Sequence, residues 1–198
     1  MQCTIFYTMQ EKENNKEGFI PLHGGYRKLL TYKKSEIIYD GTVHFCSRFF
    51  AKYDRTVDQM VQAARSGKQN IAEASMASAT SKETEIKLTN VARASLEELL
   101  LDYQDFLRTK KLSEWEKESR YVNRLRELNK KRDADYETFR KGIENVNPEI
   151  SANVLIGLIK VTTYLLSRQL QTLETCFINE GGLRERMTRA RINKRNNR

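Results

Sequence analysis

The sequence predicts an all-α protein, an antiparallel up-down four-helix bundle with a charged helical excursion between its third and fourth helices and a basic C-terminal tail. Three observations indicate this fold class. Apolar residues recur at helical spacing in four long segments. Only two prolines and nine glycines occur among the 198 residues. Alternation of apolar and polar residues over a useful strand length is absent from the sequence.

We divide the chain into a flexible lead-in at 1–24, a bundle at 25–180 and a basic suffix at 181–198. Pro21 and the pair Gly24-Gly25 separate the lead-in from the first helix. That helix is expected over about residues 26–52, with apolar positions at Leu30, Ile37, Phe45 and Phe49. A short connection follows, in which Asp54 or Thr56 can cap the next helix.

The second helix is expected over about residues 57–78. Its inner face carries mostly small side chains: Val57, Met60, Ala64, Gly67, Ile71 and Ala74. Small side chains allow helix backbones to approach closely, so we expect this helix to be central in the packing. Gly67 costs up to about 1 kcal/mol against alanine inside a helix, which indicates a close neighbour at that point.

The third helix is expected from Lys82 to about Lys110, with Ser81 or Thr80 as its cap. It carries two apolar stripes, Leu88, Ala92, Ser95, Leu99, Tyr103 and Phe106 on one and Leu96, Leu100 and Leu107 on the other. Together they form an arc wider than one side of a bundle needs. We therefore expect this helix to pack inside its own subunit and also to touch another.

Residues 109–147 are dense in charge and show only weak apolar periodicity, at Trp115, Tyr121, Val122, Leu125 and Leu128. A long structureless loop is unusual in a compact domain, so we expect a short, mostly solvated helical excursion. Pro148 suits the first turn of the last and most apolar helix, expected over about 148–179 and stopped by Gly181-Gly182.

The chain has no stretch of about 18 apolar residues, so no membrane span is expected. The start, Met1 to Glu17, is polar and lacks a signal-peptide core. The cysteines, Cys3, Cys46 and Cys176, are far apart and form neither a CxxC pair nor a metal-ligand spacing. These features favour a cytoplasmic protein in a reducing environment.

Motifs for catalysis are missing from the sequence. His44 lies in a helical apolar run and is expected to be a packed core residue, and His23 lies in a Pro/Gly turn. A Glu-x-x-His pair, a Walker loop, GxSxG, HExxH and a Rossmann glycine pattern are all absent from the sequence. We therefore expect a non-enzymatic protein with no cofactor and no metal.

The charge distribution predicts a polyanionic partner. The formal net charge is +9. The last 18 residues hold seven basic side chains against Glu185, whereas the other 180 residues hold 28 basic and 25 acidic groups. Clustered cations bind phosphates by displacing condensed counterions, although a solvated tail that only aids solubility remains the alternative. The candidate contacts are Arg184, Arg186, Arg189, Arg191, Lys194, Arg195 and Arg198.

A second candidate surface lies on the second helix, where Arg65 and Lys68 share a face. Phosphate contacts from these side chains would give affinity and orientation without base specificity. The alternative is that this polar segment, with Asn70, Glu73 and the facing residues Glu85 and Asn90, forms a hydrogen-bonded cluster that fixes the register of two helices.

These same segments resemble a known family. The runs MVQAARSGKQNIAE at 60–73, SKETE at 81–85 and VARASLEEL at 91–99 are similar to those of bacterial four-helix-bundle proteins. That family comprises proteins encoded in intervening sequences of large-subunit ribosomal RNA genes and the Avd accessory proteins of diversity-generating retroelements. The end, FINEGGLRERMTR at 177–189, resembles a C-terminal suffix carried by some members. Ala74 and Ala94 depart from the family, which often has glycine there.

The resemblance implies an antiparallel bundle that assembles as a homopentamer and binds nucleic acid, with a reverse transcriptase as a further partner in the Avd branch. Combined with the charge distribution, it predicts an oligomeric nucleic-acid-binding accessory protein, for which RNA is favoured over DNA. The alternative is an oligomeric protein-interaction scaffold whose basic end docks on an acidic protein and which does not itself bind nucleic acid.

Overall fold

The computed structural model describes residues 25–131 and 133–196. Predictions for the lead-in 1–24, including His23 and Cys3, and for Arg198 lie outside these ranges. Most of the described residues are helical and none of them forms a strand, which confirms the all-α class. A 3-10 turn at Tyr26–Lys28 precedes α1 (Leu30–Phe49), α2 (Arg55–Ala77), α3 (Lys82–Thr109), α4 (Arg120–Lys130), α5 (Tyr136–Ile143), α6 (Pro148–Glu180) and α7 (Leu183–Asn196).

The helix ends follow the local chemistry of the sequence. Asp54 caps α2 by accepting a 2.9 Å hydrogen bond from the amide of Thr56. Ser81 caps α3 through the amide of Thr84. Pro148 occupies the first turn of α6 behind the cap Asn147. Of the two predicted candidates in each case, the capping residues are therefore Asp54 and Ser81, because their side-chain oxygens reach the free amides of the first turn.

The four long helices α1, α2, α3 and α6 pack around one core. α1 contacts α2 and α6, and α3 contacts the same two helices. Across the centre, the Tyr103 hydroxyl donates a 3.1 Å hydrogen bond to Thr42. The ring of Phe45 lies 5.0 Å from that of Tyr103 and 4.9 Å from that of Phe106, both edge to face. Aromatic contacts between α1 and α3 therefore fill the middle of the molecule.

α2 and α3 approach closely at Gly67, as the sequence predicts. A Cβ at Gly67 would lie 2.8 Å from Cγ and Cδ2 of Leu96, which is fully buried on α3. Beside this contact, the hydroxyls of Ser66 and Ser95 are hydrogen-bonded at 3.0 Å. Small and polar side chains thus fix both the spacing and the register of these two helices.

The wide apolar arc of α3 is used within the chain. Its buried positions include members of both predicted stripes: Ala92, Leu96, Leu99, Leu100, Tyr103, Phe106 and Leu107. The arc is wide because α3 packs against both α2 and α6. Packing within the chain therefore accounts for the width of the arc, and the expected contact of α3 with another subunit stays a prediction.

The excursion at 109–147 contains two helices, α4 and α5, and most of its described residues are exposed, as expected. A few apolar side chains nevertheless anchor it to the body. Leu125 of α4 is buried, and so are Phe139 and Ile143 of α5. The hydroxyl of Ser151 in α6 donates a hydrogen bond to the carbonyl of Ile143. Because α6 is apolar on more than one side, α4 and α5 fold back and cover it.

One helical stretch, Pro148–Asn196, contains an 18-residue window with a mean hydropathy of 1.5, long and apolar enough to cross a membrane. The expectation that the chain has no membrane span stays a prediction. Inside the protein 61% of the window is buried, as in the core helix of a soluble protein.

We predict that Gly67→Val lowers the free energy of unfolding by about 1–3 kcal/mol, because the added side chain must displace the buried Leu96. Urea unfolding followed by circular dichroism measures the change. Gln69→Val, at an exposed position two residues away, controls for the helix propensity of valine. If the contact with Leu96 is the cause, adding Leu96→Ala will cost less in the Gly67→Val background than in the wild type. Additive effects would contradict the explanation.

Candidate nucleic-acid interface

The predicted basic tail is a helix, α7, over the part that the structure describes. Gly181 ends α6 with φ at 72°, a left-handed conformation that glycine adopts without strain. The amide of Gly182 then donates a 2.9 Å hydrogen bond to the Glu185 carboxylate, which satisfies a free amide at the start of α7. The chain therefore changes direction at the glycine pair and continues as a second helix.

α7 presents most of its cations to solvent, and Arg186 is half-buried. No residue of α7 is buried, and the helix carries six basic side chains against the single carboxylate of Glu185. At 3.6 residues per turn, Arg184, Arg191 and Arg195 share one stripe, while Arg186 and Arg189 project from the opposite side. Lys194 and Arg195 lie in the last turn, where positive charge is favoured by the helix dipole. A polyanion can thus approach α7 from more than one direction.

An open groove of about 620 Å³ lies at the joint between α6 and α7. It is lined by Asn179, Gly181, Arg184, Glu185, Thr188 and Arg189. The two arginines give this groove a positive lining, but Glu185 sits between them and reduces the local charge. The groove is therefore a weaker anion site than the stripe of three arginines.

Arg65 and Lys68 on α2 differ in their availability. Arg65 is exposed, and it has no ion-pair partner among the described residues. Lys68 is half-buried, with its Nζ 4.1 Å from the centre of the Tyr39 ring in a cation–π contact. Burial raises the pKa of Asp40, and the charge of Lys68 opposes that rise. The ammonium group of Lys68 therefore already contacts the Tyr39 ring on α1. Arg65, which is exposed, is the better candidate for a phosphate contact.

The polar cluster next to these cations has a structural role. The Asn70 side-chain amide donates to the carbonyl and the hydroxyl of Ser66, and Ser66 bonds Ser95 of α3. Glu85 is fully buried and forms a 2.8 Å ion pair with Lys82. Glu73 and Asn90 are exposed. The hypothesis of a register-fixing cluster therefore fits Ser66, Asn70 and Ser95, but not Glu73 and Asn90.

The two candidate sets lie apart on the chain. Arg65 is near the middle of α2, about 18 Å along the helix axis from Ala77 at its end. α7 is joined to the far end of α6 and packs extensively on no other described helix. A ligand held by both sets within one chain would have to span the intervening helix surface.

Sequence inspection missed a cationic and aromatic cluster in the excursion. The rings of Trp115 and Tyr121 stack at 5.0 Å with an interplanar angle of 23°. The guanidinium of Arg120 lies 4.9 Å from the centre of the Tyr121 ring. The sequence signal for this cluster was the occurrence of basic residues close to the single tryptophan. The high charge density of the excursion instead led to the prediction of a solvated segment.

Side chains that could bind a metal ion are not clustered in the described ranges. Within 25–131 and 133–196, no group of three or more His, Cys, Asp or Glu side chains could hold a metal ion. His44 is half-buried, and its Nε2 is buried without a hydrogen-bond partner in these ranges. Cys46 and Cys176 are both buried. Cys46 is a free thiol, as predicted, whereas Cys176 is disulfide-bonded, which the prediction of a packed free cysteine missed. Burial raises the pKa of the Cys46 thiol to about 12, with smaller contributions from Asp102 and Asp54.

Comparison of the chain with protein-family models, with curated proteins and with solved structures finds no match.

Lys34 anchors α4, the helix that carries much of the excursion's charge. It is only 1% exposed, and its Nζ donates a 2.6 Å hydrogen bond to Oδ1 of Asn129. The Phe139 ring lies 5.9 Å away, and no carboxylate forms an ion pair with Lys34 among the described residues. Burial consequently lowers the pKa of this lysine. A charged form without a carboxylate partner is costly in this position.

We predict that the stability of the wild type relative to Lys34→Met rises with pH, from the lowered pKa of Lys34 up to its ordinary value of 10.5. In this window the unfolded chain binds more protons at Lys34 than the native chain does, so the free energy of unfolding increases. Urea titrations at several pH values measure the difference. Lys33→Met, at an exposed neighbouring position, should show no such trend. A wild-type advantage that is constant with pH would refute the explanation.

Proposed function

We propose that this protein is a non-enzymatic, oligomeric nucleic-acid-binding accessory protein, of the type found with diversity-generating retroelements or encoded in intervening sequences, and that RNA is its ligand. The observation that carries the proposal is α7. It is a solvent-exposed helix of 14 residues with six cations and one carboxylate, joined to the body at a glycine pair. A helix with so little apolar surface gains little free energy from packing, whereas its positive charges are stabilised by contact with phosphates.

We further infer that α1, α2, α3 and α6 form an antiparallel up-down bundle. Neighbouring helices in such a fold meet at residues equally distant from their connection. Sγ of Cys46 in α1 lies 3.9 Å from Sδ of Met60 in α2, on either side of the 50–54 connection. Ser66 and Ser95 meet across the connection at 78–81. Gln104 of α3 and Lys160 of α6 both bond Glu114, which supports the same arrangement for that pair.

Binding would rest on phosphate contacts from the stripe of Arg184, Arg191 and Arg195, with Arg186, Arg189 and Lys194 around it and Arg198 beyond the described range. The guanidinium planes of Arg189 and Arg191 can also stack on unpaired bases, which are more accessible in RNA than in duplex DNA. Arg65 is a secondary contact. Such binding reads the backbone and gives little sequence preference.

Assembly multiplies the weak contacts of a single α7. In the homopentamer implied by the family resemblance, five copies of the basic helix would act on one ligand, which raises the effective concentration of each contact. A bacterial cytoplasmic location and a reverse transcriptase as a second partner belong to the same proposal. The two settings, retroelement and ribosomal RNA gene, differ in the neighbouring genes, so genomic context would distinguish them.

We predict that the Gln triple variant of Arg184, Arg191 and Arg195 binds single-stranded RNA more weakly and with a lower salt dependence. Each lost phosphate contact reduces the slope of log K against log salt by about 0.7, so the expected reduction is about 2 per chain. Fluorescence anisotropy of a labelled, non-specific RNA across a salt series measures it. A chain ending at Glu180 should lose most of the binding.

The matched control removes the same charge elsewhere, by Lys33→Gln, Arg124→Gln and Lys141→Gln at exposed positions on α1, α4 and α5. This variant should keep most of the salt slope if α7 is the interface. Equal losses in both triple variants would show that net charge alone drives binding. Failure of the wild type to bind RNA at low salt would reject the nucleic-acid proposal and favour the protein-interaction scaffold.

We predict that sedimentation equilibrium gives a pentamer, with a mass about five times the 23.2 kDa of one chain. The chain ending at Glu180 should give the same oligomer, because α7 is proposed to bind the ligand and not the neighbouring subunit. A monomeric wild type would contradict the assembly, and a truncated chain that dissociates would assign α7 to the subunit interface.

A further inference from the structure

A cavity of about 440 Å³ lies between the excursion and α6. Its apolar lining comes from Trp115, Val122, Leu125, Ile156, Gly157 and Val161, and its polar lining comes from Glu114, Lys117, Arg126, Asn129, Asn153 and Lys160. Small-molecule sites in proteins typically have volumes of about 300–1,000 Å³, mostly apolar walls and a few polar groups. The cavity has such a volume and such a mixture of apolar and polar lining residues. None of the proposed RNA contacts lines it, and the side chains of the long-helix core do not fill it.

The cavity is formed by two helix faces with matching spacing. On α4 the lining positions are 122, 125, 126 and 129, and on α6 they are 153, 156, 157, 160 and 161. Each set recurs at three- and four-residue intervals, so each forms a continuous face of its helix. A Cβ on Gly157 would overlap the side chain of Leu125. The glycine lets α4 seat directly on α6 at one end, and the cavity remains where larger side chains hold the helices apart.

The side chains of the two asparagines in the lining form hydrogen bonds with the segments that surround the cavity. Nδ2 of Asn153 donates to the carbonyls of Ser113 and Glu149, and its Oδ1 accepts a 2.7 Å bond from the amide of Trp115. Asn129 donates to the carbonyl of Leu125 and accepts from the buried Lys34. These contacts fix the shape of the cavity before any ligand binds. They also leave the recognition of a polar ligand group to the charged side chains.

Those charged side chains favour an anion. Glu114 accepts hydrogen bonds from Lys160 and from Gln104. Burial raises the pKa of Glu114, but these bonds and the charge of Lys160 outweigh it and leave the pKa below its ordinary value. The single carboxylate is therefore ionised and neutralised by Lys160. Lys117 has no hydrogen-bond or ion-pair partner in the described ranges, and Arg126 uses one amino group to bond Asn123. The lining thus keeps two uncompensated positive charges.

Trp115 gives the apolar part a rigid wall. Its amide is held by Asn153, and its ring stacks on Tyr121, which is not part of the lining. The indole is therefore held in place from the side away from the cavity. A flat apolar surface beside two cations suits a ligand that has an apolar body and one negative group.

We propose that this cavity binds a small amphipathic anion, with its apolar body against Trp115, Val122 and Val161 and its anionic group at Lys117 and Arg126. The anionic group can be a carboxylate, a sulfonate or a phosphate monoester. This site is separate from the proposed RNA contacts on α7 and does not depend on them.

The test uses two fluorescent probes with the same aromatic body. One is 8-anilinonaphthalene-1-sulfonate, which carries an anion, and the other is N-phenyl-1-naphthylamine, which does not. The full chain should bind the sulfonate with one site per chain and more tightly than the uncharged probe. Val161→Trp fills the cavity and should weaken the binding of both probes by about tenfold or more. Val122→Trp fills it from α4 and serves if the first variant does not fold, as judged by circular dichroism.

The charge requirement has its own matched pair of variants. Arg126→Gln should weaken binding of the sulfonate by about two- to fivefold and leave the uncharged probe unaffected. Arg124→Gln, on the same helix but outside the lining, should change neither. Lys117→Gln should behave as Arg126→Gln does, and both effects should diminish at high salt.

Three outcomes would overturn the proposal. Undiminished sulfonate binding in both folded tryptophan variants would place the probe elsewhere on the protein. Equal affinity for the two probes, or equal effects of Arg126→Gln and Arg124→Gln, would remove the anion requirement. Displacement of the sulfonate by a short single-stranded RNA would assign the cavity to a base of that RNA. None of these outcomes affects the test of α7, which is read from RNA binding to the α7 variants.

Discussion

Burial of α6 on more than one side is the constraint on which the rest of the structure depends. Its residues meet α1 and α3 across the core, while α4 and α5 cover another face. Leaving such an apolar surface in water would cost about 25 cal/mol for each Å² exposed. The charged segment between α3 and α6 therefore folds back, with Leu125, Phe139 and Ile143 buried against the core. The excursion is part of the folded body for this reason.

The same constraint creates the features with functional interest. Because α4 seats on Gly157 and is pinned by Lys34 through Asn129, a cavity forms beside it with Trp115 as a wall. Because α6 ends at Gly181, α7 leaves the packed body and exposes most of its cations. The two regions share one helix but differ in chemistry. The cavity combines apolar surface with a few charges, whereas α7 offers charge with almost no apolar surface.

The small residues of α2 set the spacing on the other side of the core. Gly67 admits Leu96, and the Ser66–Ser95 bond fixes which residues face each other. The hydroxyl pair is worth little net energy in a setting where water could replace either partner, but an unpaired buried hydroxyl would be costly. Polar contacts of this kind select one register among those that hydrophobic burial alone would allow. Lys68, bound over the Tyr39 ring, belongs to this structural group more than to a binding surface.

By itself the sequence determined the helical class, the ends of α2, α3 and α6 to within about two residues, and the small-residue contact at Gly67, because caps, glycine pairs and 3.6-residue periodicity act over a few residues. The first helix, expected over about 26–52, is shorter, Leu30–Phe49. The sequence also located the cationic end, since charge is additive along a chain. Only the tertiary structure decided that the excursion is partly buried, that members of both apolar stripes of α3 pack within the chain, and that Trp115, Arg126 and Val161 line one cavity. These outcomes depend on which distant surfaces meet, and weak local periodicity in a charged segment carries no information about its packing partner.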